Sequence, residues 1–285
     1  MRWTPGGMSG DIEDRRAEGS GGFRRSHLGV GGVLLLLLLS LIFKRDFVSS
    51  FLGPSGVGQA VNQPAPALVQ APGEESLVQF VSFVLDDIQK TWDRLLPEYG
   101  TPYRHAKLVL FRDETSSSCG LAQSATGPFY CPADEKVYID LGFYDELKAK
   151  FGAPGAFAQA YVLAHEIGHH VQKLLGISDQ VRGLQQSNPA QANPLSVDLE
   201  LQADCFAGIW AHTTAQRNLI ERSDVQSGIQ AAAAVGDDRL QRMTRGYVSP
   251  DSFTHGSSAQ RVEWFERGLE NGEISTCNTF AGKGR

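Results

Sequence analysis

The sequence is poor in cysteine and, over most of its length, in positive charge. Four cysteines among 285 residues cannot hold a chain of this size together as a disulfide scaffold, and no C-x-x-C pair exists to build a cysteine-metal site. Residues 46–285 carry 19 Lys and Arg against 28 Asp and Glu. A body of that sign argues against a nucleic-acid binder, because phosphate contacts need a basic surface. Only one long apolar run occurs, which excludes a multi-span membrane protein. With 41% hydrophobic and 20% charged residues the chain is neither wholly disordered nor collagen-like. No internal repeat is present. The length allows one large domain or about two of ordinary size.

What is present begins at the amino terminus. Residues 1–27 are rich in Gly, Arg, Asp and Glu without apolar periodicity, and read as a disordered tail. Residues 28–43 are sixteen uncharged residues with leucine unbroken from 34 to 39. As a helix they span roughly 24 Å, slightly short of a hydrocarbon core of about 30 Å. A cleaved signal peptide would place small residues soon after the run, but Lys44, Arg45 and Asp46 follow. The run therefore reads as an uncleaved anchor. Arg15, Arg16, Arg24 and Arg25 precede it and Lys44 and Arg45 follow it, so the tail is expected in the cytoplasm. That predicts a single-pass protein of the cell inner membrane with its acidic body on the periplasmic side. Residues 44–75, with prolines at 54, 64, 66 and 72, read as a linker.

The folded domain is expected over 76–285. Apolar spacing predicts helices over 76–95, 156–175, 197–217, 224–245 and 257–268, and strands over 107–111 and 136–141. Residues 116–130 and 180–194 read as loops. Strands early and helices late give an α+β fold.

His165, Glu166 and His169 form H-E-x-x-H inside the second predicted helix. Residues four apart share a helix face, so both imidazoles can reach one ion, with Glu166 placed to move a proton at a metal-activated water. An unpaired Glu and two His within an apolar helix would be costly without such a purpose. A zinc site needs a third ligand. Glu200 and Asp204, four apart on the next helix, fit as ligand and as acceptor for His165, and Asp198 is a weaker rival to Glu200. Ala203, Ala207 and Gly208 make one side of that helix small enough to approach the first. His170 falls off the ligand face and is expected to be structural or exposed.

The run from His165 to His170, followed by Glu200, Leu201, Gln202, Ala203, Asp204, Cys205, Phe206, Ala207 and Gly208, resembles a bacterial family of neutral zinc metallopeptidases. More distantly it is similar to the gluzincins. The similarity extends over about residues 79–280. It implies a membrane anchor, a zincin-like domain and zinc-dependent peptide hydrolysis, and it brings no substrate.

His255, Arg261 and Tyr247 are candidate donors to a developing oxyanion. His255, in a Gly/Ser-rich turn, is the choice as a second catalytic residue beside Glu166. His105 and His212 read as structural. Four cysteines allow three pairings; Cys119 with Cys131 and Cys205 with Cys277 is preferred in an oxidising compartment. Strand 136–140 is expected to hold a peptide substrate by edge pairing. The expectation is a membrane-anchored endopeptidase binding Zn²⁺ through His165, His169 and Glu200 and acting on a protein or peptide. The alternative is a metal-stabilised, non-catalytic envelope binding or assembly module, for which Glu166 would be dispensable.

Overall fold

In the computed structural model, which describes residues 1–18, 74–123, 127–149 and 155–281, two short apolar runs form the centre of a mixed sheet. Strands β2 (Lys107–Phe111) and β6 (Lys136–Asp140) pair in parallel. Both are buried along most of their length because side chains cover both faces. Alternation sends Leu108, Leu110, Val137 and Ile139 into the main core. Val109, Phe111 and Tyr138 face the other way, onto Ala122 and Cys131. Strand β1 (Ile12–Asp14) lies parallel to β2, and β5 (Phe129–Cys131) antiparallel to β6, giving the order β1-β2-β6-β5. Strands β3 (Glu114–Ser117) and β4 (Gly120–Gln123) make a separate hairpin.

Helices fill the rest. They are α1 (Glu74–Glu98), α2 (Gly142–Ala149), α3 (Ala156–Leu174), α4 (Ile177–Ser187), α5 (Ala192–Gln216), α6 (Arg222–Ala234), α7 (Asp237–Arg245) and α8 (Ser258–Asn271). The architecture is α+β, mostly helical with a small sheet. Val81, Val84, Leu85, Ile88 and Trp92 give α1 a continuous apolar stripe, and they meet Phe157, Tyr161 and Val171 of α3 and Phe206 and Trp210 of α5 in one core. Close backbone approach fixes how the three site-bearing helices pack. A Cβ on Gly168 of α3 would lie 2.9 Å from the Ala203 carbonyl oxygen of α5, and one on Gly208 would lie 2.1 Å from the Phe265 carbonyl oxygen of α8. Ala203 thus faces the motif helix as expected, whereas Gly208 faces α8 instead.

Several expectations are corrected. The amino-terminal tail is not disordered over residues 1–18, because β1 adds an edge to the sheet and Trp3 packs edge-on against Phe80 at 5.4 Å. Charge-rich composition hid this, since ion pairs such as Glu13 with Lys136 and Arg16 with Glu74 accompany the strand pairing. The loop expected over 116–130 overlaps the hairpin and β5; in the hairpin the polar sequences ETSS and GLAQ carry almost no apolar signal. The loop over 180–194 holds most of α4, whose sole buried residue, Val181, leaves no periodicity to read. The helix over 224–245 is two helices, broken at Gly236, where a Cβ would fall 2.4 Å from the Ser258 nitrogen. Helix α6 is opened by Glu221, which forms a capping box with Asp224.

The anchor predicted over 28–43 lies outside the described residues, as does the linker except for Glu74 and Glu75, which begin α1. Among the described residues no helix is long and apolar enough to cross a membrane.

His105 ties the amino-terminal segment to the body. Its Nδ1 lies 2.7 Å from Asp11 and its Nε2 2.9 Å from Asp93 of α1. Partial burial opposes its charge, yet the two carboxylates raise its pKa above the usual 6.5. A raised folded-state pKa contributes stability that is complete below 6.5 and lost as pH rises through the folded value. Amides of residues 11–14 should therefore be better protected from hydrogen exchange at pH 6 than at pH 8.5, after correction for intrinsic rates. His105→Gln should remove that difference. An unchanged pH dependence in the variant would rule the clamp out.

Candidate metal centre

Helix α3 runs beneath a cleft of about 620 Å³ lined by His165, Glu166, His169 and Glu200. The i, i+4 spacing puts both imidazoles on the cleft side, and the contact of Gly168 with Ala203 brings α5 close enough for Glu200 to meet them. His165 Nε2 lies 3.1 Å from one Glu200 oxygen and His169 Nε2 lies 3.4 Å from the other. One ligand atom from each of the three residues falls within 4.8 Å of the others. Two imidazoles and one carboxylate, converging from two packed helices, fit a single zinc ion by donor type and by spacing. Asp198, the rival ligand, does not join this group.

The outer nitrogens are also fixed. His165 Nδ1 donates to Asp204 at 2.9 Å, which sets the tautomer that points Nε2 at Glu200. Asp204 is fully buried and accepts further bonds from the Tyr161 hydroxyl and from Arg261, whose Nε lies at 2.7 Å and Nη2 at 3.0 Å. His169 Nδ1 donates to Gln172 Oε1 at 2.9 Å. The Gln172 amide then donates to Gln202, and the Gln202 amide to the Cys277 carbonyl at 2.9 Å. Asp204 is expected from the sequence, whereas Tyr161 and Gln172 are not. Tyr161 is four residues before His165 and Gln172 three after His169, so helical spacing carried the signal for both.

Charge follows this geometry. Burial opposes a charge on His165, but Asp204 and Glu200 hold its imidazole up at about 10. His169 is raised against its burial by Glu200. Glu200 is held well below the carboxylate range, its burial outweighed by the two imidazoles. Glu166 moves the other way: burial raises it, and the two imidazoles only partly offset that. A carboxyl raised toward neutrality beside a metal trio is suited to take up and return a proton.

His255 lines the same cleft, with Nδ1 3.2 Å from Asp237. The Asp237 hydrogen bond raises its pKa, opposed by partial burial. Arg261 also borders the cleft, but its guanidinium is committed to Asp204. Tyr247 is 64% exposed and is not among the cleft-lining residues. His170 is buried and structural: its Nε2 donates to the Arg104 carbonyl at 2.6 Å, and its Nδ1 accepts from the Tyr130 hydroxyl at 2.9 Å. His212 is structural as well, its Nδ1 donating to the Leu269 carbonyl at 2.7 Å.

The edge-strand expectation needs correction. Strand β6 is internal, between β2 and β5. The edge beside the cleft is β5, and Gly127, Pro128, Phe129, Tyr130 and Pro132 line the wall there. Continuous apolar character marked β6 as a strand, and that same character comes from its central position.

Both expected disulfides are present, Cys119 with Cys131 and Cys205 with Cys277. Cys205 follows Asp204, and the Cys277 carbonyl ends the amide chain from His169, so this bridge supports the orienting partners of both imidazoles. Cys131 belongs instead to the cleft-edge strand. Cys277→Ser should therefore speed zinc loss to a chelator by about 10-fold or more, the scale seen for outer-shell partners. Cys119→Ser should leave that rate near the parent value. Equal effects of the two changes would contradict the assignment.

No solved structure matches the chain. It is 46% identical to the uncharacterized protein YpfJ of Escherichia coli over 287 residues, spanning 98% of this chain and 99% of that one. It is 42% identical over 207 residues to the uncharacterized protein Rv2575 of Mycobacterium tuberculosis, spanning 69% of this chain and 68% of that one. The family model described as "Putative neutral zinc metallopeptidase" matches residues 1–280, beginning at the strand-bearing amino terminus and running past Cys277. The chain therefore belongs to the neutral zinc metallopeptidase family, whose name the two-histidine, one-glutamate centre suits.

Proposed function

We propose that the protein is a zinc-dependent endopeptidase, held at the cell inner membrane by residues 28–43, with its metal centre on the extracytoplasmic side. The observation that carries this reading is the convergence of His165, His169 and Glu200 beside Glu166 in one cleft. Zinc held by these three residues would supply Lewis acidity toward a water and the scissile carbonyl. Glu166 takes the proton of the attacking water and returns it to the leaving nitrogen, a transfer its raised pKa favours. His255, with its pKa raised by Asp237, donates to the developing oxyanion from the cleft wall. An extended peptide pairs with the edge of β5 antiparallel to β6, a zincin-like arrangement. Two disulfides support an oxidising compartment. The acidic body argues against a nucleic-acid substrate.

Metal analysis of the purified full chain tests the centre. It should contain about one zinc per chain, as a three-ligand set with one open position predicts. His165→Ala should lose it while far-ultraviolet circular dichroism stays the same. Stoichiometric zinc persisting in the variant would remove the centre from its assigned place.

A further inference from the structure

The metal domain incorporates the amino terminus by contacts too specific to be incidental. Strand β1 pairs in register with β2, Ile12 against Leu108 and Asp14 against Leu110. The Arg2 amide donates to the Leu219 carbonyl, and Lys136 reaches Glu13 at 2.7 Å. The Arg16 guanidinium is 3% exposed and bonds Glu74 at 2.7 Å. Burying a charge in this way is costly unless the partner is always there.

Arg16 and Glu74 stand almost at the two ends of residues 19–73, the stretch that contains the apolar run 28–43. One ion pair joins the point where the chain leaves the domain to the point where it returns. A single crossing of a membrane separates the flanking residues by about 30 Å of hydrocarbon. The stretch does not hold two apolar runs of the roughly 20 residues each that two crossings require.

We propose that residues 1–18 and the metal centre occupy the same compartment. The amino terminus is then a structural part of the metal domain, not a cytoplasmic tail. This goes beyond the peptidase reading and does not depend on it. The charge bias around the run, four basic residues against two, is weak beside a strand pairing and a buried ion pair.

All four cysteines are paired, so a single introduced thiol reports its own location. Gly7 has nothing within 4 Å of a built Cβ, and Leu121 on β4 is 60% exposed. Full-length Gly7→Cys and Leu121→Cys variants are treated with a membrane-impermeant maleimide, on intact spheroplasts and after permeabilisation. The ratio of labelling in the two conditions should be the same for both variants. Near 1 for both places the whole unit outside. Labelling of both only after permeabilisation keeps the shared compartment and overturns the extracytoplasmic reading instead. Labelling of Leu121→Cys on intact spheroplasts, with Gly7→Cys reached only after permeabilisation, would overturn the inference, as would the reverse.

Discussion

Glu166→Gln should abolish nearly all peptide hydrolysis while leaving zinc content and thermal stability close to the parent. The side chain lines the cleft within the motif helix and is not one of the converging metal trio, so its amide analogue keeps volume and packing. What it loses is the ability to accept a proton. General-base assistance is worth about 10²–10⁴-fold, and the loss should fall on kcat because the β5 edge proposed to bind a peptide is untouched. The check is a comparison of new protein amino termini in the cell envelope between strains carrying parent and Glu166→Gln protein, with zinc measured on both proteins. An identical set of termini, together with full complementation, would favour a binding or assembly module over an enzyme. Intact zinc in the variant separates that outcome from simple collapse of the site.

The sequence shows the centre more readily than the frame around it, and the reason is physical. Metal ligation needs named side chains at helical spacings, so His165, His169, Glu200 and the orienting Asp204 are legible from residue type and distance along the chain. The disulfides were legible as a preference because only three pairings exist. Strands β2 and β6 stood out because burial on both faces demands unbroken apolar runs. By contrast, β1 is three residues long and held by pairing to β2 and by its acidic and basic neighbours, so nothing in its hydropathy separates it from a solvated tail. Helix α4 buries a single residue. Strand β5, the wall of the cleft, was hidden in a loop-like stretch for want of length. Arg261 was named for a different task. Its commitment to Asp204 depends on α8 lying against α5 where Gly208 and Gly268 allow backbone contact, a tertiary event that spacing within one helix does not reveal.

That commitment gives the largest expected stability effect. Asp204 has no exposure, and Arg261 is 3% exposed. The carboxylate accepts from Tyr161, from His165 Nδ1 and twice from the guanidinium. Burial opposes ionisation of Asp204, yet Arg261 and His165 lower its pKa, so the charge is kept. Asp204→Ala removes the counter-charge and leaves a buried cation, a change that costs about 3–5 kcal/mol. In a domain of this size that is a fall in Tm of about 6–20 °C. His165 also loses the acceptor that sets its tautomer, so zinc affinity should drop about 10–100-fold. The two effects separate in a double variant. Asp204→Leu with Arg261→Met removes both charges and fills the space with apolar atoms, so most of the lost stability should return. Zinc retention should not return, because the imidazole still lacks its partner. Calorimetry of the metal-free proteins and competition with a chelator read the two quantities independently. If the double variant regained zinc binding along with stability, Asp204 would be a packing element only, and the orientation of His165 would have to come from elsewhere.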